Sequence, residues 1–194
     1  MRLFVAAYPP AGAVADLAAF VSGLRVGRAA AAGVNTRLAR PETYHLTLAF
    51  LGEVADERLA DVEVAVGRAV DRVPPPVPEV ALAGGGRFGR GAFTLMWVGV
   101  TGDLDPMRAL HKGLRRELKR ARLPYDERPW KPHLTLARPG DRLPRAEVDA
   151  DRAALNDYEG PRWPVRELVL MRSQLGPNPT YERLTNWLLA GSLR

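Results

Sequence analysis

The sequence predicts an α+β fold built from a duplicated unit. Two observations carry this. The pentapeptide HLTLA stands at residues 45–49 and again at 133–137. Strand-like and helix-like apolar periods also alternate along both halves of the chain. The elements read strand, helix, strand, helix, hairpin, helix, strand, helix, hairpin, so each half carries strands, two helices and one HLTLA strand. The 194 residues suit one domain, 1–194, made of two small lobes that share a core.

RLFVAAYP reads as a strand over Arg2–Tyr8, stopped by Pro9 and Pro10. From Ala11 to Leu24, Val14, Leu17, Ala18, Val21 and Leu24 recur at helical spacing. RVGRAAAAGV reads as a loop or weak helix extension, and Thr36–Ala39 as a short strand. YHLTLAFLG alternates as a strand ending at Gly52. Asp56 caps a helix through about Val70, whose stripe is Leu59, Val62, Val66 and Val70. After the rigid PPPVP connection, Val80–Ala83 reads as a strand, GGGRFGRG as a turn and AFTLMWVGV as the returning strand of a hairpin. Asp103 and Asp105 open a helix to about Ala121, with Met107, Leu110, Leu114 and Leu118 on one face. WKPHLTLAR is a strand, Pro144–Leu155 a short helix, and VRELVLMRSQL with TYERLTNWLL the closing hairpin.

Composition narrows the function classes. Hydrophobic residues make up 46% and no apolar run reaches 18 residues, so no membrane helix is expected. There is no cysteine, which removes disulfides, thiolate zinc sites and a Cys nucleophile and fits a cytoplasmic protein. The net charge is +6; of 28 basic residues only Lys112, Lys119 and Lys131 are lysines. Arginine's planar fork suits phosphate, and a basic surface attracts nucleic acid. GC-rich coding sequence produces the same Ala, Arg, Gly and Pro richness, so composition alone leaves both readings open.

The twin motif is more specific. The chain has three histidines, and two of them, His45 and His133, open the repeated pentapeptide. Alternation along a strand places His45, Thr47 and Ala49 on one face, with Leu46, Leu48 and Phe50 on the core face. His133, Thr135 and Ala137 stand likewise against Leu134 and Leu136. His and Thr are then about 6.6 Å apart along the strand, and a small Ala leaves room for a ligand. A polar outer face would explain one such motif. Two copies point to chemistry. One imidazole can accept a proton while the other donates one, since both titrate near neutrality. Each Thr hydroxyl can donate to an oxyanion. Such a set suits in-line phosphoryl chemistry and requires no metal and no cofactor. Two histidines also fit part of a zinc site, but such sites usually add a third ligand, and Glu42 before the first motif has no counterpart near the second.

With these flanks the sequence resembles the 2H phosphoesterase superfamily, defined by two H-x-[ST]-x motifs. It is most similar to the bacterial and archaeal RNA 2′,3′-cyclic phosphodiesterases, once called 2′-5′ RNA ligases. RLFVAAYP, YHLTLAFLGEV, GGGRFGRGAFTLMWVGV, RPWKPHLTLAR and LVLMRSQLGPNPTYERL carry the resemblance over nearly the whole chain. Trp130 stands where that family often has Phe. The resemblance implies a bilobal fold: antiparallel sheets, helices on the outside and an active-site cleft between the lobes. It implies hydrolysis of a 2′,3′-cyclic phosphate on RNA to a 2′-phosphate, with His45 as proton donor, His133 as proton acceptor, and Thr47 and Thr135 holding the phosphate oxygens. The partner expected is RNA or an oligonucleotide with a cyclic phosphate end, and the enzyme is expected to be a monomer.

Other residues stay open between two roles. Arg138 follows the second motif, yet strict alternation points it away from His133, so it is either structural or swings inward to phosphate. Phe88 either stacks on a base or supports the hairpin. Tyr181 and Ser173 are further candidate substrate contacts. Tyr44, Trp97 and Trp163 are expected in the core. His111, lacking a Thr partner and lying beside a helical apolar stripe, is expected to be structural or solvated. GGGRFG lacks the ending of a phosphate loop and leads into a strand. Two further functions remain beside hydrolysis: joining RNA ends through a 2′-5′ linkage at the same site, and RNA or nucleotide binding without catalysis.

Overall fold

The computed structural model describes residues 1–174 and 180–190. Its strands are β1 (Arg2–Ala7), β2 (Leu46–Glu53), β3 (Glu79–Phe88), β4 (Leu95–Gly102), β5 (His133–Ala137), β6 (Trp163–Pro164), β7 (Glu167–Gln174) and β8 (Thr180–Leu188). Its helices are α1 (Ala11–Gly23), α2 (Arg25–Ala31), α3 (Leu59–Val70), α4 (Leu104–Arg120) and α5 (Arg145–Asn156). Two four-stranded antiparallel sheets form, ordered β2-β1-β7-β8 and β5-β4-β3-β6. Each HLTLA strand is therefore an edge strand at the end of its sheet. No helix among the described residues is long and apolar enough to cross a membrane.

The lobes are not the two halves of the sequence. The first sheet takes both ends of the chain, and the second takes the middle. Helices cross between them. α1 and α2 leave the first sheet and dock on α5: Asp151, 0% exposed, accepts from Arg25 N–H and Val26 N–H at 2.8 Å each, and Asp16 accepts from the Tyr158 hydroxyl at 2.6 Å. α2 has no capping side chain of its own, so a buried carboxylate from another helix fills that role. α4, conversely, leaves the second sheet and packs on α3 and β2. One apolar cluster runs through both lobes, from Leu3 and Leu48 to Leu82 and Leu136.

Several elements differ from expectation. RVGRAAAAGV is largely helical as α2. Thr36–Ala39 is not a strand of either sheet. It is an irregular strap along the free edge of β5, with Ala39 N–H donating to Leu136 O (2.7 Å) and Arg138 N–H donating to Thr36 O (3.1 Å). Asp56 opens a 3-10 turn before α3 rather than capping it. The loop of the closing hairpin, 175–179, lies outside the described residues.

The glycine run is the largest difference. Residues 84–88 continue β3, and the turn lies beyond them, in Gly89–Thr94. Glycine is needed here for close approach on both faces. A Cβ on Gly85 would sit 2.5 Å from Arg152 O of α5, and one on Gly86 would sit 1.9 Å from the Trp97 ring. The run is a stretch of strand stripped of side chains, so that a helix lies on one face and an indole on the other. Gly86→Ala is therefore expected to lose about 2 kcal/mol in urea unfolding, the cost of overpacking a rigid ring. Gly12→Ala in α1, where nothing lies within 4 Å, should be neutral or stabilising.

Candidate active site at the seam between the sheets

His45 and His133 are held in the same way. His45 Nδ1–H donates to Thr43 O at 2.7 Å, and His133 Nδ1–H donates to Lys131 O at 2.7 Å. A carbonyl can only accept, so Nδ1 carries the proton and each Nε2 is left to exchange one. In both cases the carbonyl belongs to the residue two positions earlier, where the chain enters the edge strand. Thr47 and Thr135 follow on the same face and are half-buried; no other described group engages either hydroxyl.

Alternation then slips in both strands at one place. In β2, Ala6 lies opposite Thr47 but Val5 lies opposite Ala49, leaving Leu48 as a bulge. In β5, Trp97 lies opposite Thr135 but Met96 lies opposite Ala137, leaving Leu136 as the bulge. Ala49 and Ala137 consequently join the core, and the residues after them, Phe50 and Arg138, turn to the site face. The expected positions of Ala49, Ala137 and Phe50 are thereby reversed, and Arg138 takes the inward of its two alternatives. Phe50 packs beside Phe4 and carries the Arg2 guanidinium 4.7 Å over its ring, and Arg138 is exposed.

Each histidine has an aromatic wall. Around His45 stand Phe4 (ring centroids 5.0 Å apart), Tyr181 (5.4 Å) and Tyr8 (5.8 Å). Around His133 stand Phe88, edge-on at 4.9 Å, and Trp97 at 5.9 Å, with the Lys131 ammonium 4.5 Å over the Trp97 ring. Trp97 is buried as expected, yet it is also the wall that Gly86 makes room for. Tyr44 and Trp163 are core residues. Ser173 lies opposite Arg2 on one side and Tyr181 on the other, its hydroxyl buried without a hydrogen-bond partner among the described residues. Phe4, Tyr8 and Lys131 escaped the sequence reading. The signal for the first two was present: Phe4, Ala6 and Tyr8 are the alternate positions of β1 opposite its core face.

Electrostatics differ between the two imidazoles. Burial lowers the pKa of His45, opposed by its bond to Thr43 and assisted by the charge of His133. Burial also lowers that of His133, opposed by its bond to Lys131 and assisted by the Lys131 and Arg138 cations. Burial pushes the Tyr8 phenol up to about 12, so it stays a neutral donor. Among the described residues no three His, Cys, Asp or Glu side chains gather as a metal-binding group.

His111 is buried and structural. Its Nδ1–H donates to Leu48 O at 2.7 Å, and its ring stacks on Trp130 at 5.2 Å. Trp130 Nε1–H donates to Thr47 O at 2.9 Å. The pair thus binds the first motif's strand to the segment that leads into His133. Trp130→Phe keeps the stacked ring and removes only the N–H; we expect a loss of about 1 kcal/mol in urea unfolding. Trp130→Ala should cost about 3 kcal/mol.

A family model described as the 2′-5′ RNA ligase superfamily matches residues 13–177. A Thermus thermophilus protein named RNA 2′,3′-cyclic phosphodiesterase is 31% identical over 98% of this chain and 91% of its own length. A solved structure from Thermus thermophilus superposes with a TM-score of 0.74 at 30% identity, covering 98% of this chain and 99% of that one. The Escherichia coli LigT structure complexed with 3′-AMP has the same fold, with a TM-score of 0.73 at 23% identity, over 97% of this chain and 98% of that one.

Proposed function

The chain belongs to the 2′-5′ RNA ligase superfamily, and from that premise we propose that it hydrolyses RNA 2′,3′-cyclic phosphate ends to 2′-phosphates by paired histidine acid–base catalysis. The observation that carries this is the matched anchoring of His45 and His133, each with no hydrogen-bond partner at Nε2 among the described residues and a Thr hydroxyl two residues on. The relatives' names supply the substrate class.

In this reading the cyclic phosphate sits between the two edge strands. His133 Nε2 takes a proton from water, whose oxygen attacks phosphorus. The P–O3′ bond breaks on the opposite side, and His45 Nε2 gives its proton to the leaving 3′-oxygen. Thr47 and Thr135 donate to the non-bridging oxygens, whose charge grows in the transition state. Arg138 supplies a cation to the same phosphate. Phe88 and Tyr181 bound the space for the terminal nucleoside, with Ser173 further along the Tyr181 side. No step needs a metal or a cofactor. Joining through a 2′-5′ linkage would use the same groups, with an RNA 5′-hydroxyl in place of water, and the family's description keeps that reading in view.

The decisive assay uses an oligonucleotide ending in a 2′,3′-cyclic phosphate, with EDTA present. His45→Ala and His133→Ala should each lower kcat by at least about 10²-fold, the scale of general acid–base catalysis. The product should be a 2′-phosphate by mass and phosphatase sensitivity. Unchanged turnover in either variant, or an intact cyclic end with wild type, would sink the proposal and favour simple binding.

The pH profile has a definite sign. A productive free enzyme holds one neutral and one protonated imidazole, and its population peaks midway between the pair's two apparent pKa values. Both imidazoles are shifted below their ordinary 6.5. The bell in kcat/KM should therefore centre on the acid side of pH 6.5. An optimum above pH 7 would contradict the buried-imidazole site.

A further inference from the structure

We propose that the end of the second sheet beyond Arg138 is a separate single-stranded RNA subsite, which grips nucleotides upstream of the reacting end. The inference rests on the phosphodiesterase reading and deepens it, because it concerns oligonucleotide against mononucleotide substrates. The groups around His45 and His133 need only one terminal phosphate and one nucleoside, so a small cyclic nucleotide would satisfy them. The protein offers more basic surface than that substrate uses.

β5 leads outward from His133 through Thr135 to Arg138. There it meets two other segments. On one side is the strap: Arg138 N–H donates to Thr36 O (3.1 Å) and Arg37 O (3.3 Å). On the other is the turn that joins β3 to β4, where Gly140 fits so closely that a Cβ on it would lie 3.0 Å from Ala92 O. Arg37, Arg90 and Phe93 are thus carried to the same end of the sheet. Phe93 is 85% exposed, more than any other large apolar side chain among the described residues. Arg37 and Arg90 are exposed, and neither guanidinium has an acidic or hydrogen-bonding partner among the described residues. Asp141 lines a small cavity with Arg90 but makes no ion pair with it.

The strap is also held in an unfavourable conformation. Arg37 has φ +47°, the left-handed region that non-glycine residues seldom occupy, and its N–H donates to Asn35 Oδ1 at 3.3 Å. Such outliers persist where surrounding structure imposes them, and they concentrate at ligand sites. An exposed ring beside unpaired arginines is the pattern that holds single strands, with bases stacking on the ring and phosphates meeting the cations. Leu95, two residues after Phe93, precedes Gly99, the partner of His133, by four residues, roughly 13 Å along β4. About two nucleotides or more span the distance from His133 to the turn that carries Phe93.

The test compares wild type with Phe93→Ser and with Arg37→Ala/Arg90→Ala on two substrates: a 2′,3′-cyclic mononucleotide, and an eight-nucleotide RNA ending in the same group. Wild type should favour the oligonucleotide in kcat/KM. Each variant should lose roughly tenfold on it, with flatter salt dependence for the double arginine variant and unchanged turnover of the mononucleotide. Variants that match wild type on the oligonucleotide overturn the subsite. Equal losses on both substrates also overturn it, since they mean a disturbed catalytic site. If wild type cleaves neither substrate, the phosphodiesterase reading fails by itself. The subsite is then judged by fluorescence anisotropy with plain single-stranded RNA, where weaker binding by the variants supports it and equal binding removes it.

Discussion

The architecture depends on how two edge strands dispose of their unpaired backbone groups. An edge strand leaves a row of N–H and C=O groups that must find partners when the edge is covered. Here each HLTLA strand is such an edge, and the partners come from elsewhere in the chain. Trp130 and His111 take the Thr47 and Leu48 carbonyls of β2, while Ala39 takes the Leu136 carbonyl of β5. The seam between the sheets is thus closed by side chains and a strap, not by a continuous ladder. A continuous ladder would have filled the space between the two histidines. Closing it indirectly leaves the Thr47 and Thr135 hydroxyls without a partner among the described residues.

The interwoven path of the chain has the same origin. If each lobe were one half of the sequence, the seam would have nothing to hold it but surface contact. Because α1 and α2 dock on the second lobe and α4 on the first, the apolar cluster runs unbroken through both. The spacing of the two half-sites is then fixed by core packing, which is dense and tolerates little displacement.

Much of this was legible. The repeat, the long apolar periods and the order of strands and helices are local patterns, and local patterns survive folding. His45, Thr47, His133 and Thr135 stand on one face each because a strand's period of two is unbroken from the histidine to the threonine. It breaks one residue later. The bulges at Leu48 and Leu136 arise in the pairing with β1 and β4, a tertiary effect with no mark in the pentapeptide, and so Ala49, Ala137 and Phe50 were misplaced, while Arg138 takes the inward of its two alternatives. GGGRFG misled for a similar reason: glycine is a turn former by propensity, but α5 and Trp97 require its lack of a side chain here. The helix crossover was invisible because apolar stripes show that a helix is buried and not which sheet covers it.

The bulge at Leu136 bears on the direction of the proposed reaction. By turning Arg138 to the site face, it gives His133 a cationic neighbour in addition to Lys131, whereas the charge that acts on His45 among the described residues is that of His133. Nearby cations disfavour an imidazolium. A bound phosphate favours one at both histidines, and at His133 the two cations oppose that pull. Burial, the larger cause, lowers both rings alike in direction, so the cations supply a bias and do not by themselves decide where the proton sits. In the proposed reaction that bias favours the assignment in which His45 donates to the leaving oxygen and His133 accepts from water. The asymmetry of two otherwise matched half-sites then comes from two positions: two residues before each histidine, where Lys131 stands against Thr43, and the residue after each pentapeptide, where Arg138 stands against Phe50.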